Sequence, residues 1–112
     1  MNVIQQKQGN LTIISIEGNI VLEETAEVQK LVTPHIEDLE CHGIIFDCGK
    51  VKYMDSSGLG MIVSIYKTLR KQEKGFALSN INSNVLELFS LTKLDQILTI
   101  TKDLESAIQK LK

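Results

Sequence analysis

The chain has no apolar run long enough to span a bilayer. Its opening residues, Met1 to Gly9, carry Gln5, Gln6, Lys7 and Gln8 where a secretory leader needs an uninterrupted apolar stretch. The expectation is a cytoplasmic protein without membrane insertion. Cysteine is scarce. Cys41 and Cys48 are the only two, and one pair does not make a disulfide framework, so both are read as reduced thiols. Cys41-His42 followed by a lone Cys48 lacks the paired short spacings by which four ligands converge on zinc, and no metal is expected. Positive charge is not in excess either. The formal net charge is -2, which gives no basic field to attract nucleic acid directly.

Catalytic signatures are missing as well. The chain has no Gly-x-x-x-x-Gly-Lys-Ser/Thr phosphate loop, no Gly-x-Ser-x-Gly elbow and no His-Glu-x-x-His helix. The acidic residues Glu23, Glu24, Glu37, Asp38 and Glu40 gather around one helical segment, where a solvated face accounts for them. Neither an enzyme activity nor a cofactor is expected.

What is present is ordinary for a folded domain. Hydrophobic residues make up 43% and charged residues 23% of 112 residues, enough to enclose a core without disulfides or metal, and residues 1–112 are read as one domain. Val3 and Ile4 begin a strand that turns at Gln8-Gly9-Asn10 into the β-branched run Leu11 to Ile16, a hairpin pattern. Ile20 to Leu22 suggest a further short strand. From Glu24 onward Val28, Leu31, Val32, Ile36 and Leu39 recur at helical spacing, with Pro34 expected to bend or interrupt the helix. Gly43 to Cys48 reads as a buried central strand. Asp55-Ser56-Ser57 opens a second helix whose core face is drawn through Leu59, Ile62, Val63, Tyr66 and Leu69. That assignment leaves Ser57, Met61, Ser64 and Thr68 outside. This helix is expected to run to about Lys74-Gly75. Phe76 to Ile81 is a third internal strand, Asn82-Ser83-Asn84 caps a short helix through Phe89, Ile97 to Thr101 is a last strand, and Asp103 starts a terminal helix. The pattern predicts an α/β sandwich with a mixed sheet of four to five strands and about four helices.

The segment Asp55-Ser56-Ser57-Gly58-Leu59-Gly60 stands out chemically. Asp55 or Ser56 suits the cap of the second helix, accepting from first-turn amides. Two glycines in a first helical turn each cost about 1 kcal/mol relative to alanine, so a close backbone approach is expected there. The helix start also offers free amides and partial positive charge, which favour a nearby phosphate and make a serine at that place a reasonable phosphoacceptor.

Met54-Asp55-Ser56-Ser57-Gly58-Leu59-Gly60-Met61-Ile62-Val63, preceded by the strand Ile44 to Asp47, resembles the signature of the STAS domain of sulfate transporters and anti-sigma factor antagonists. Weaker similarity extends over nearly the whole chain, through Gly18, Thr25-Ala26 and Leu86 to Leu91. The resemblance implies that Ser56, the first serine after the aspartate, is the phosphoacceptor. It also implies that Asp55, Ser57, Gly58, Leu59, Gly60 and Met61 form the partner-binding segment. In one respect the sequence departs from the pattern. Many members carry an acidic residue soon after the glycine that ends the second strand, whereas here Asn19-Ile20-Val21-Leu22 precede Glu23.

By that resemblance, the unmodified protein binds an anti-sigma factor that is itself a serine kinase and so frees a sigma factor. Phosphorylation at Ser56 dissociates the complex, and a serine phosphatase restores it. Two other readings stay open: a constitutive STAS scaffold in a signalling or transporter complex, and a small-molecule module that binds nucleotide at the second helix start.

Overall fold

A computed structural model of the chain describes residues 1–112. Five strands form one sheet: β1 (Asn2–Gln8), β2 (Leu11–Glu17), β3 (Gly43–Lys50), β4 (Gly75–Ser79) and β5 (Thr99–Thr101). Their spatial order is their chain order. β1 pairs antiparallel with β2 through a tight turn in which Gly9 has φ +63, a conformation that favours glycine. The other pairings are parallel, so each requires a crossover. These crossovers carry α1 (Leu22–Glu37), α2 (Ser56–Lys71) and α3 (Ser83–Leu91), and α4 (Leu104–Leu111) closes the chain. The mixed five-stranded sheet and four helices agree with the architecture expected from the sequence.

Because side chains alternate across a strand, β3 feeds two cores. Ile44, Phe46 and Cys48 join the larger one with residues of α1, α2 and α3, whereas Ile45 joins Leu11, Ile13, Ala77, Ala107 and Ile108 under α4. Phe46, fully buried, meets Phe76 edge to face at a centroid distance of 5.2 Å. Such pairs contribute about 0.5–1.5 kcal/mol beyond area burial.

The structure corrects several local expectations. Ile20 to Leu22 form no strand: Ile20 makes a single parallel bridge to Met54, and Leu22 already begins α1. Pro34 does not interrupt α1, which continues to Glu37 with Val28, Val32 and Ile36 buried, whereas Leu39 lies beyond its end and is exposed. No glycine terminates α1. Lys74 instead reaches from the α2–β4 connection to donate to the Ile36 and Asp38 carbonyls at 2.5 and 2.8 Å, satisfying acceptors at the negative end of the helix. α2 ends at Lys71, a few residues earlier than its periodicity suggests, and a 3₁₀ turn over Leu94–Gln96 precedes β5.

Candidate functional site

β3 runs out at Lys50, and the chain turns back across the carboxyl edge of the sheet before entering α2. That return is held by backbone bonds to the loop after β2: Ile20 N–H donates to the Tyr53 carbonyl at 3.0 Å, and Asp55 N–H donates to the Ile20 carbonyl at 3.3 Å. Asp55 then adopts the extended conformation of a helix N-cap. Its Oδ1 accepts from Gly58 N–H at 3.0 Å, while Oδ2 accepts from Leu22 N–H at 3.2 Å. Val21, the residue at the N-cap of α1, supplies no side-chain cap of its own. One carboxylate therefore serves the amino ends of two helices, where negative charge is favoured by both sets of free amides.

Since Asp55 makes the capping bond, Ser56 is relieved of that role and stands exposed as the first residue of α2. Ser57 is half-buried and Leu59 buried. The two glycines differ sharply. A Cβ at Gly58 would lie 2.6 Å from both the Ile20 carbonyl oxygen and Met54 Cγ, so the close approach expected from the sequence is real there. At Gly60 nothing lies within 4 Å of such an atom, and the residue faces solvent. The fold has no steric need for that second glycine.

Met61 corrects the face drawn from the sequence. It is 4% exposed and belongs to the larger core, together with Ile65, while Val63 and Tyr66 sit at the margin. The buried arc of α2 is wide because this helix packs against both the sheet and α1. Met61 supports the segment from beneath and does not present its side chain outward.

A crevice of about 450 Å³ opens beside Ser56 and is flanked by Lys52, Tyr53, Asn84 and Leu88. Its far wall is α3, tied to the β3–α2 connection by Asn82. The Asn82 Oδ1 caps α3 by accepting from Val85 N–H at 2.9 Å, and its Nδ2 donates to the Val51 and Lys52 carbonyls at 3.0 and 3.2 Å. Sequence reasoning finds the cap but misses the tie, which nothing local encodes. Tyr53, which flanks the crevice with Ser56, keeps more than half of its surface exposed, placing apolar area beside a polar hydroxyl.

Cys41, His42 and Cys48 do not converge. Cys41 Sγ donates to the Gly43 carbonyl at 3.3 Å, His42 Nδ1 accepts from the Asn10 amide at 3.0 Å, and Cys48 points into the larger core. Both cysteines are free thiols. Burial, with a smaller contribution from the charge of Asp47, pushes the Cys48 thiol up to about 12. No helix is long and apolar enough to cross a membrane.

The STAS domain profile matches residues 2–107. The anti-sigma-B factor antagonist of Bacillus subtilis (strain 168) is 37% identical, over 97% of this chain and 98% of that protein. Among solved structures, an anti-sigma factor antagonist from Mycobacterium paratuberculosis superposes with a TM-score of 0.90 at 19% identity, covering 98% of this chain and 92% of the other. The Bacillus cell fate determinant SpoIIAA in its phosphorylated form superposes with a TM-score of 0.76 at 17% identity, over 99% and 100% of the two chains. These two likenesses are of fold. The profile match and the Bacillus subtilis relative reach further, and the chain belongs to the STAS domain family.

Proposed function

We propose that the protein is a cytoplasmic anti-sigma factor antagonist, a binding switch without catalytic activity. Its unmodified form binds an anti-sigma factor with serine kinase activity and releases a sigma factor. Phosphorylation of Ser56 ends that binding, and a serine phosphatase restores it. The observation that carries this reading is the exposure of Ser56 at the start of α2, with the capping duty taken by Asp55. A kinase therefore meets a hydroxyl whose modification leaves the cap in place. The name of the Bacillus subtilis relative supports the same conclusion.

Phosphate adds about -1.5 to -2 charges and three acceptor oxygens next to the Asp55 carboxylate. A partner surface fitted to a neutral hydroxyl, to the open backbone at Gly60 and to Tyr53 has to desolvate that charge on binding. A loss of about 1.4 kcal/mol already weakens affinity tenfold, so the switch needs no refolding. Asp55, Gly58 and Leu59 act by holding this surface in shape, Ser57 and Gly60 by lying on it.

The test is to phosphorylate the protein with its kinase and ATP, map the modified residue by mass spectrometry, and compare partner affinity before and after. Modification is expected on Ser56 and to persist in Ser57→Ala. Ser56→Ala should bind but escape modification, and Ser56→Asp should fold yet bind at least about tenfold more weakly. Stoichiometric phosphate on Ser56 that left affinity and sigma release unchanged would replace the switch with a constitutive scaffold.

A further inference from the structure

α4 packs on one face of the sheet over Leu11, Ile13, Ile45 and Ala77. Two residues further along each strand the same face carries a transverse row. Ile4 pairs with Ser15, Ser15 with Asp47, Asp47 with Ser79, and Ser79 with Thr101. The period of two places these side chains on the α4 side with Ile13, Ile45 and Ala77, yet four of the five are polar. Ser79 is fully buried and its hydroxyl has no partner. Thr101 is satisfied by the Leu78 carbonyl at 3.2 Å, and of the polar four it is Ser15 and Asp47 that face open space.

On the β1 side of this row the sheet forms a hollow of about 390 Å³, lined by Ile4, Ser15, Glu17, Asp47, Lys50 and Asn80 among others. That volume lies in the range of small-molecule sites. It shares no residue with the crevice at Ser56. Asn80, held at φ +58, donates its amide to Asp47 Oδ1 at 3.0 Å, and Gly49 N–H donates to the same oxygen at 3.1 Å. Both donors go to one carboxylate oxygen and leave Oδ2 for another. Ser15 is half-buried beside Asp47, and Ile4, 59% exposed, gives an apolar wall. The cation Lys50 is exposed and pairs with Glu17 at 3.7 Å, so the lining keeps one net negative charge.

We propose that this hollow is a second binding site, for a small organic cation. Its ammonium or guanidinium group is received by Asp47 Oδ2, Ser15 Oγ and the Asn80 carbonyl oxygen, with a short apolar stem against Ile4. Asp47 Oδ2 and the Asn80 side-chain oxygen can only accept and the Ser15 hydroxyl can do so, which favours a ligand rich in N–H donors. A compact anion would meet two carboxylates and one already paired lysine.

Agmatine is a suitable probe, with uncharged 1,4-butanediol and anionic succinate as controls, titrated at low salt into ¹⁵N-labelled protein. Saturable shifts are expected at the amides of Ser15, Asp47, Gly49 and Asn80 for agmatine alone, with a dissociation constant of about millimolar order. Asp47→Asn keeps an oxygen for Gly49 and Asn80 and should bind about tenfold more weakly. Lys50→Glu lies on the exposed surface, leaves folding intact, and should bind more tightly because it removes the only opposing charge. Equal shifts with butanediol, no saturation at these amides, or a Lys50→Glu variant that binds no better would overturn the proposal. None of these outcomes bears on the switch at Ser56.

Discussion

Replacing each glycine of the α2 entry by alanine should have opposite effects. At Gly58 the new methyl would stand 2.6 Å from a backbone oxygen and from Met54 Cγ, against an ordinary separation of about 3.5 Å or more. Met54 is packed in the larger core and its Cγ lies close to the backbone, so it gives little room. The Ile20 carbonyl is fixed too, because it accepts from Asp55 N–H and belongs to the bridge that joins Ile20 to Met54. Overpacking of this kind costs about 1–3 kcal/mol, offset by about 1 kcal/mol of improved helix propensity. A net loss of about 1 kcal/mol is expected, equivalent to several degrees in Tm for a domain of this size. At Gly60 no atom lies within reach, so only the propensity gain remains and the variant should be more stable by about 0.5–1 kcal/mol. Urea denaturation of the two variants, followed by far-ultraviolet circular dichroism, measures both quantities. If Gly58→Ala proved as stable as Gly60→Ala, the close approach at Ile20 would not exist as described. A Gly60→Ala protein that gained stability but lost affinity for the anti-sigma partner would locate the contact at that open turn.

Two further predictions concern titrating groups. The bond from Ser106 N–H, with its hydroxyl and the nearby Lys102 assisting, holds the Asp103 carboxyl below its usual range. A depressed carboxyl contributes stability above its unfolded pKa and loses it as pH falls through the folded value. The advantage of wild type over Asp103→Ala in Tm should therefore shrink as pH drops below about 4, and an advantage unchanged at acid pH would contradict the cap. Cys48, raised to about 12, should resist Ellman's reagent at pH 8 until the protein is unfolded, and rapid reaction of its thiol in the native state would contradict its burial.

Much of the architecture was legible because it is encoded locally. The turn at Gly9-Asn10, the caps Asp55, Asn82 and Asp103, and the apolar run of β3 all announce themselves within a few residues. The errors fall where a distant group decides. Leu22 begins α1 because Asp55, thirty-three residues away, supplies its acceptor, so the entry to α1 lacks the usual capping signature. Leu39 fits the period of α1 but follows its end. That end is satisfied by Lys74, a residue of the α2–β4 connection. Met61 and Ile65 are buried because α2 is covered on two sides, whereas a wheel drawn from one sequence assumes a single covered side. At the candidate site the serine and aspartate could be read from the chain. The crevice walled by α3 could not, since it depends on Asn82 reaching two carbonyls of the β3–α2 connection.

The coincidence of spatial and chain order in the sheet bears on how the protein is made. With this order each strand can dock beside the one before it in the chain, and no later strand has to be threaded between two earlier ones. Non-local closure, the step that slows sheet formation, is thereby kept to one crossover at a time. The cost falls on the interval before α4 is made. Leu11, Ile13, Ile45 and Ala77 stay uncovered until Ala107 and Ile108 of α4 arrive, and for that interval the nascent domain carries a sticky apolar face. A chain that lacks α4 would keep that apolar face exposed, the condition that favours aggregation.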